Sequence, residues 1–253
     1  MATQAKLNPV DYAEEQEAQM IWKLEEAVVV KSVYSNSGER DPTLPIPRGH
    51  NWSTTRFLMG DDPRLQKMPE KPTLIDYFKL RFAPSAHVLQ SAALAKRAGC
   101  NETVQMACLM HDIAVVGFIR GDHGYWGAQM IEPYVSEEIS WAVRAHQALR
   151  FYADEENGYE YPTNYLNWFG EDYRPDPHIQ RAYEEYRQHK WYMTARLVTM
   201  NDIYSFDPNA VVNIEDFEDL IGRNFKQPKE GLGFDNSPSA HMWRTIMRPT
   251  RFL

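Results

Sequence analysis

Residues 85–151 contain four successive apolar segments with helical periodicity, and each is bounded by residues that start or end helices. Gly99 ends the first segment and Asn101 caps the second, whereas Pro133 ends the third and Ser136 caps the fourth. Only weak strand signals lie between these segments. The sequence therefore predicts an all-α fold whose helices pack through their apolar faces.

These segments lie within a longer core that we predict at residues 74–207. The N-terminal part, residues 1–73, is predicted to hold a helix at 11–33 and then an irregular extension rich in Pro, Gly and Asp. The C-terminal part, residues 208–253, is predicted to form an extension that packs on the core.

Three further segments complete the predicted core. A short helix is expected at 74–82, and a long helix is expected at 178–205. Between the four central helices and this last one, residues 153–177 are rich in aromatic and turn-forming residues. A loop of this length inside a compact domain is usually functional or disordered, and its aromatic content favours order.

Composition narrows the classes of function. The net charge of −8 argues against a protein that binds nucleic acid, because such proteins carry a basic surface. Only two cysteines are present, Cys100 and Cys108, which is typical of a protein in a reducing compartment. No stretch of about 18 apolar residues is present, so no membrane span is predicted. We expect a cytoplasmic protein that acts on a small molecule, and a homo-oligomer remains open.

Candidate metal ligands occur on several of the predicted helices. Imidazole and carboxylate groups suit iron, manganese or zinc, and a carboxylate can bridge two cations. A single histidine on an apolar helix is more often a hydrogen-bonded core residue, so the prediction depends on the combination. Six protein ligands would leave open positions on a pair of metals, as catalysis requires. We predict a two-metal site formed by His87, His111, Asp112, His123, His146 and Asp202.

The order of these residues resembles the HD superfamily in its two-metal form. The segments HVLQSAALAKRAG, ACLMHDIA, HGYWGAQMI, AVRAHQALRFY and ARLVTMNDIYSFDP are similar to those of the mixed-valent diiron oxygenases that cleave organophosphonates, and more distantly to myo-inositol oxygenase. The resemblance covers residues 85–208. It implies an HD-domain helical bundle, two irons in the Fe(II)/Fe(III) state, O2 as a co-substrate, and a bridging role for Asp112. Asp112, His123 and His146 would then serve the reaction directly.

One departure from this superfamily bears on the chemistry. Its two-metal phosphohydrolases often follow the His-Asp pair with Ile-Gly-Lys or a similar run, whereas here the run is Ile113-Ala114-Val115. The apolar run favours an oxygenase, and the resemblance implies that such an enzyme abstracts hydrogen from carbon and cleaves a C–P or C–C bond. Two alternatives stay open: a metal-dependent phosphohydrolase, and a non-catalytic protein that a metal stabilises.

Three residues are candidates for contact with the substrate. Arg150 lies one helical turn beyond His146 and should face the same cavity, where its guanidinium could bind an anionic group. Gln90 shares the face of His87, and Tyr77 precedes that ligand in the chain. We predict substrate-binding roles for Arg150, Gln90 and Tyr77, and a small polar substrate that is anionic.

Overall fold

The computed structural model describes residues 67–82, 85–115, 122–162, 165, 170–203, 205 and 210–247. The predicted helix at 11–33 and the predicted irregular stretch up to residue 66 lie outside these residues. The central segment with the predicted ligands is described, apart from the short gaps between these ranges.

The described residues form nine α-helices and two short 3-10 helices, and they contain no β-strand. The all-α prediction is therefore confirmed. None of the helices in this part of the chain is long and apolar enough to cross a membrane. The α-helices are α1 Leu74–Leu80, α2 Ser85–Arg97, α3 Glu102–Met110, α4 His123–Ile131, α5 Glu137–Leu149, α6 Pro177–Tyr186, α7 Tyr192–Asp202, α8 Glu218–Asn224 and α9 Ala240–Met247. The 3-10 helices are Glu155–Asn157 and Ile214–Phe217.

The helix boundaries follow the local signals of the sequence. The Asn101 side chain accepts a hydrogen bond of 3.0 Å from the backbone N–H of Val104, and Ser136 accepts one of 3.4 Å from Ile139. Gly99 follows α2 with a φ of +74°, a conformation that side chains rarely adopt. Local backbone chemistry therefore determines where these helices begin and end.

Helices α2, α3 and α7 pack against one another, α5 packs on α3 and α7, and α4 packs on α5. Small side chains permit the close approach, because Ala92, Ala107, Ala145 and Ala195 are completely buried. These five helices carry the predicted ligands or end next to them. Their mutual packing therefore brings the predicted ligands near one another.

The predicted continuous helix at 178–205 is wrong. It is two helices, since α6 ends at Tyr186 and α7 begins at Tyr192. The His189 ring between them stacks on Trp141 of α5, with ring centroids 4.0 Å apart. The backbone N–H of Tyr192 donates to the His189 carbonyl at 2.9 Å, which closes the turn. A tertiary contact with α5 thus outweighs the local helical pattern.

The C-terminal helix α9 was not predicted. Its Trp243 is completely buried, and the indole N–H donates to the carbonyl of Met130 at 2.9 Å. The Ser239 hydroxyl donates to the same carbonyl at 3.1 Å. Buried Trp243, Ile246 and Met247 recur at helical spacing, but the helix has only eight residues and follows a stretch rich in Gly and Pro.

Candidate metal centre

The structure brings all six predicted ligands together at the meeting point of five helix ends or turns. His87 lies in the first turn of α2, His146 in the last turn of α5, and Asp202 at the last residue of α7. His111 and Asp112 directly follow α3, and His123 begins α4. Helix ends place these side chains in one buried space, although they come from distant parts of the chain.

One half of the cluster consists of His87, His111 and Asp202, and we call it the first position. The two Nε2 atoms of His87 and His111 lie 3.2 Å apart. Asp202 Oδ1 lies 2.9 Å from the Nε2 of His87 and 3.5 Å from that of His111. Three potential ligand atoms therefore converge within the dimensions of a single coordination sphere.

The other half contains His123 and His146, and we call it the second position. Their Nε2 atoms lie 3.1 Å apart. Asp112 Oδ1 lies 3.2 Å from the Nε2 of His123 and 3.8 Å from that of His146. The second oxygen of Asp112, Oδ2, lies 3.6 Å from the Nε2 of His87 in the first position. The Asp112 carboxylate thus faces both positions, as a bridging ligand must.

Hydrogen bonds on the far side of three imidazoles orient them toward the centre. His111 Nδ1 lies 2.7 Å from the carbonyl of Cys108, and His146 Nδ1 lies 2.6 Å from that of Val143. His87 Nδ1 lies 3.1 Å from the carbonyl of Ser205. A carbonyl only accepts, so Nδ1 carries the proton in each ring and Nε2 presents a lone pair to the cluster.

This arrangement of lone pairs requires a cation. Asp112 Oδ1 and Asp202 Oδ1 are buried and make no hydrogen bond of normal geometry with the described residues. Buried carboxylates and facing imidazole lone pairs repel one another unless a positive charge lies between them. Two ligand atoms about 2.1 Å from one ion, at a right angle, would be about 3 Å apart, which agrees with the observed separations. The donor set therefore fits two metal ions of the iron, manganese or zinc type.

The pKa values reflect the same crowding of charge. Burial alone would raise the pKa of Asp112 and Asp202, but His111 beside Asp112 and Arg150 beside Asp202 hold both well below the usual range. Burial alone would lower the pKa of His111, but Asp112 and Asp202 raise it to about 9. Burial together with the charges of His111 and His123 lowers the pKa of His146. Without a metal, the cluster would hold a proton at His111, and a metal ion would compete with that proton.

The described residues of the centre differ in their exposure to solvent. The side chains of His111, His146 and Asp202 are at most 1% exposed, whereas Asp112 is 13% and Arg150 19% exposed. Asp112 and Arg150 therefore form the more exposed edge of the centre.

The three predicted substrate contacts lie in different environments. Arg150 directly follows α5, and its Nε forms an ion pair with Asp202 Oδ2 at 3.3 Å. Gln90 lies on α2 one turn beyond His87 and is buried. Tyr77 is completely buried, and its hydroxyl donates to the carbonyl of Ile113 at 3.1 Å.

The contacts of Tyr77 are those of a core residue. Its ring stacks on Phe82 with centroids 5.5 Å apart, and it meets the edge of Trp243 at 5.3 Å. The side chain of Tyr77 therefore belongs to the core and not to the substrate site.

Two residues near the centre were missed by the sequence analysis. The Ser205 hydroxyl lies 2.9 Å from His87 Nδ1 and adds to the contact made by its own carbonyl. Its position three residues after Asp202 was an available signal, because such spacing shares a helical face. Tyr165 lies under the Arg150 guanidinium, 5.2 Å from its carbon to the ring centroid. No local signal distinguishes Tyr165 among the many aromatics of its loop.

Comparison with known families agrees with this geometry. Residues 85–183 match the family model of the HD domain. The matched segment contains five of the six predicted ligands, and Asp202 lies beyond it. No curated protein matches the chain. Residues 85–183 are therefore similar to the HD domain, and the helical fold and the buried His/Asp cluster agree with that similarity.

Proposed function

We propose that the protein is an O2-dependent diiron oxygenase that acts on a small, polar, anionic substrate and cleaves a C–P or C–C bond after abstraction of hydrogen from carbon. The choice of an oxygenase over a phosphohydrolase rests on the apolar run that follows the His-Asp pair. Ile113 and Ala114 are completely buried, and Val115 packs against the core. This apolar run offers no polar group to a phosphoester, and apolar surroundings suit chemistry that must exclude water.

The residues of the cluster have distinct roles in this proposal. His87, His111 and Asp202 would hold the first iron, while His123 and His146 would hold the second. Asp112 would bridge the two ions, because its oxygens face both positions. Two bound irons would supply the binding and reduction of O2, a chemistry that side chains alone do not provide.

The substrate would enter at the exposed edge of the centre. Arg150 supplies a cation there, which an anionic substrate needs in a protein of net charge −8. Its Nε faces Asp202, so the remaining guanidinium N–H groups would contact the substrate. Gln90, one turn from His87, would help to orient the substrate or the ligand histidine.

The test begins with metal content. Protein purified from iron-replete cells should contain close to two irons per chain and should consume O2 with a member of a panel of phosphonates and polyols. A His146→Ala variant should lose this activity. His241→Ala removes an exposed histidine on α9 and serves as the matched control, with unchanged metal content and O2 consumption.

Two results would contradict the proposal in different ways. Hydrolysis of generic phosphoesters by protein loaded with manganese or cobalt, without O2 consumption by the iron form, would favour the phosphohydrolase alternative. A folded protein that retains a single zinc, or no metal, would exclude the two-metal centre itself.

A further inference from the structure

The two oxygens of Asp202 face different partners. Oδ1 points into the first position, 2.9 Å from the Nε2 of His87. Oδ2 lies 3.3 Å from the Nε of Arg150. The side chain of Asp202 is only 1% exposed, so neither oxygen is open to bulk water.

Asp112 shows the opposite arrangement. Its Oδ2 lies 3.6 Å from the Nε2 of His87, and its Oδ1 lies 3.2 Å from that of His123. Both oxygens thus face imidazoles across the centre. The two carboxylates of the cluster are therefore distinguished by the guanidinium beside one of them.

Arg150 is held in place by contacts of its backbone and of its guanidinium group. The backbone N–H of Arg150 donates to the His146 carbonyl at 3.1 Å, which continues the last turn of α5. The Tyr159 hydroxyl donates to the Arg150 carbonyl at 2.8 Å, and the ring of Tyr165 lies 5.2 Å from the guanidinium carbon. The next carbonyl back, that of Leu149, accepts from the buried Arg196 at 3.0 Å. Both the backbone and the head group of Arg150 are therefore anchored.

A carboxylate binds a metal through one oxygen or through both. An oxygen that is paired with a fixed guanidinium is less available as a ligand, because its negative charge is already compensated. We infer that Arg150 is a positioning residue that withholds Asp202 Oδ2 from the metal, so that Asp202 contributes one ligand oxygen and a coordination position stays open for water or substrate. This inference rests on the proposed metal centre, and it adds a role that is independent of substrate contact.

The experiment counts metal-bound water in the absence of substrate. The full chain is saturated with Mn²⁺ alone, and the number of exchangeable waters per ion is measured by water-proton relaxation. In Arg150→Met, Asp202 is expected to bind through both oxygens, and one water per centre should be lost. Arg144→Met is the matched control, because Arg144 lies on the same helix but covers the ring of Tyr125 at 5.3 Å. It should retain the wild-type number of waters.

A second pair of variants separates this mechanism from general distortion. Asparagine at position 202 has a single side-chain oxygen, so Asp202→Asn cannot chelate through two. Adding Arg150→Met to Asp202→Asn should therefore remove no further water. If Arg150→Met fails to fold, as judged by its circular dichroism, Arg150→Gln is measured in its place with the same expected loss.

Each result has one meaning. An unchanged number of waters in the Arg150 variant overturns the inference but leaves the metal centre intact. A further loss of water in the double variant also overturns it, because the loss would not depend on the second oxygen of Asp202. Failure of the wild-type protein to bind Mn²⁺ would contradict the two-metal centre itself.

Discussion

Gly124 directly follows the candidate ligand His123, and its backbone packs closely against α5. A Cβ atom at this position would lie 3.0 Å from the carbonyl oxygen of Val143 and 3.2 Å from that of Arg144. These oxygens belong to the backbone of α5 and cannot move independently. We expect Gly124→Ala to push α4 away from α5 by a few tenths of an ångström, and with it His123 from His146.

The magnitude follows from two opposing effects. Overpacking typically costs about 1–3 kcal/mol, while replacement of a helical glycine by alanine recovers at most about 1 kcal/mol. The free energy of unfolding of Gly124→Ala should therefore fall by about 0–3 kcal/mol. The metal is more sensitive, because ligand distances must hold to within about 0.2 Å. Affinity at the second position should fall by about 10-fold, the lower end of the range for residues that support a ligand.

Gly127 is the matched control, one turn further along α4. A Cβ there would meet methyl groups of Ile113 and Val143 at 3.4 Å, and such side chains can adjust. Gly127→Ala should keep both metals and should be as stable as the wild type or more so. The assays are titration with Mn²⁺ and unfolding in urea. If both variants bind metal equally well, the contact between α4 and α5 does not determine the spacing of His123 and His146.

Two further predictions follow from the cluster and its surroundings. Alanine at His111 or Asp112 should abolish binding of both metals, whereas alanine at His146 should abolish binding of mainly one. Elemental analysis of the folded variants distinguishes these patterns. If the Asp112 variant retains both metals, Asp112 does not bridge them. Arg196 is completely buried, and its Nε lies 3.4 Å from Asp154 Oδ2. Arg196→Met should lower the free energy of unfolding by about 3–5 kcal/mol, the usual cost of breaking a buried ion pair, and it also leaves the Leu149 carbonyl without its donor. A loss below about 1 kcal/mol in urea unfolding would show that Arg196 contributes no more than an exposed ion pair does.

Much of the fold could be predicted because the relevant signals act over a few residues. The side chains of Asn101 and Ser136 accept hydrogen bonds from the first turns of their own helices, and Gly99 provides the backbone conformation that follows the end of α2. The break between α6 and α7 could not be predicted in this way. It depends on the stacking of His189 on Trp141, a residue on another helix.

The candidate site likewise has features that the sequence predicts and features that depend on packing. The residue types and their order predicted which six side chains could bind metal, since few combinations of His and Asp on apolar helices have another chemical use. The role of Tyr77 was less predictable, because a tyrosine near a ligand in the chain can face the core. Here its hydroxyl is bonded to the Ile113 carbonyl and its ring is enclosed.

The sequence by itself determined most of the helix boundaries and the choice of candidate ligands, because capping, periodicity and donor chemistry are local properties. Only the tertiary structure decided how the ligands share their charge. It placed Arg150 beside one oxygen of Asp202 and left the oxygens of Asp112 facing imidazoles. Such pairing depends on distances between helices, and these are set by packing at small buried residues such as Gly124 and Ala145.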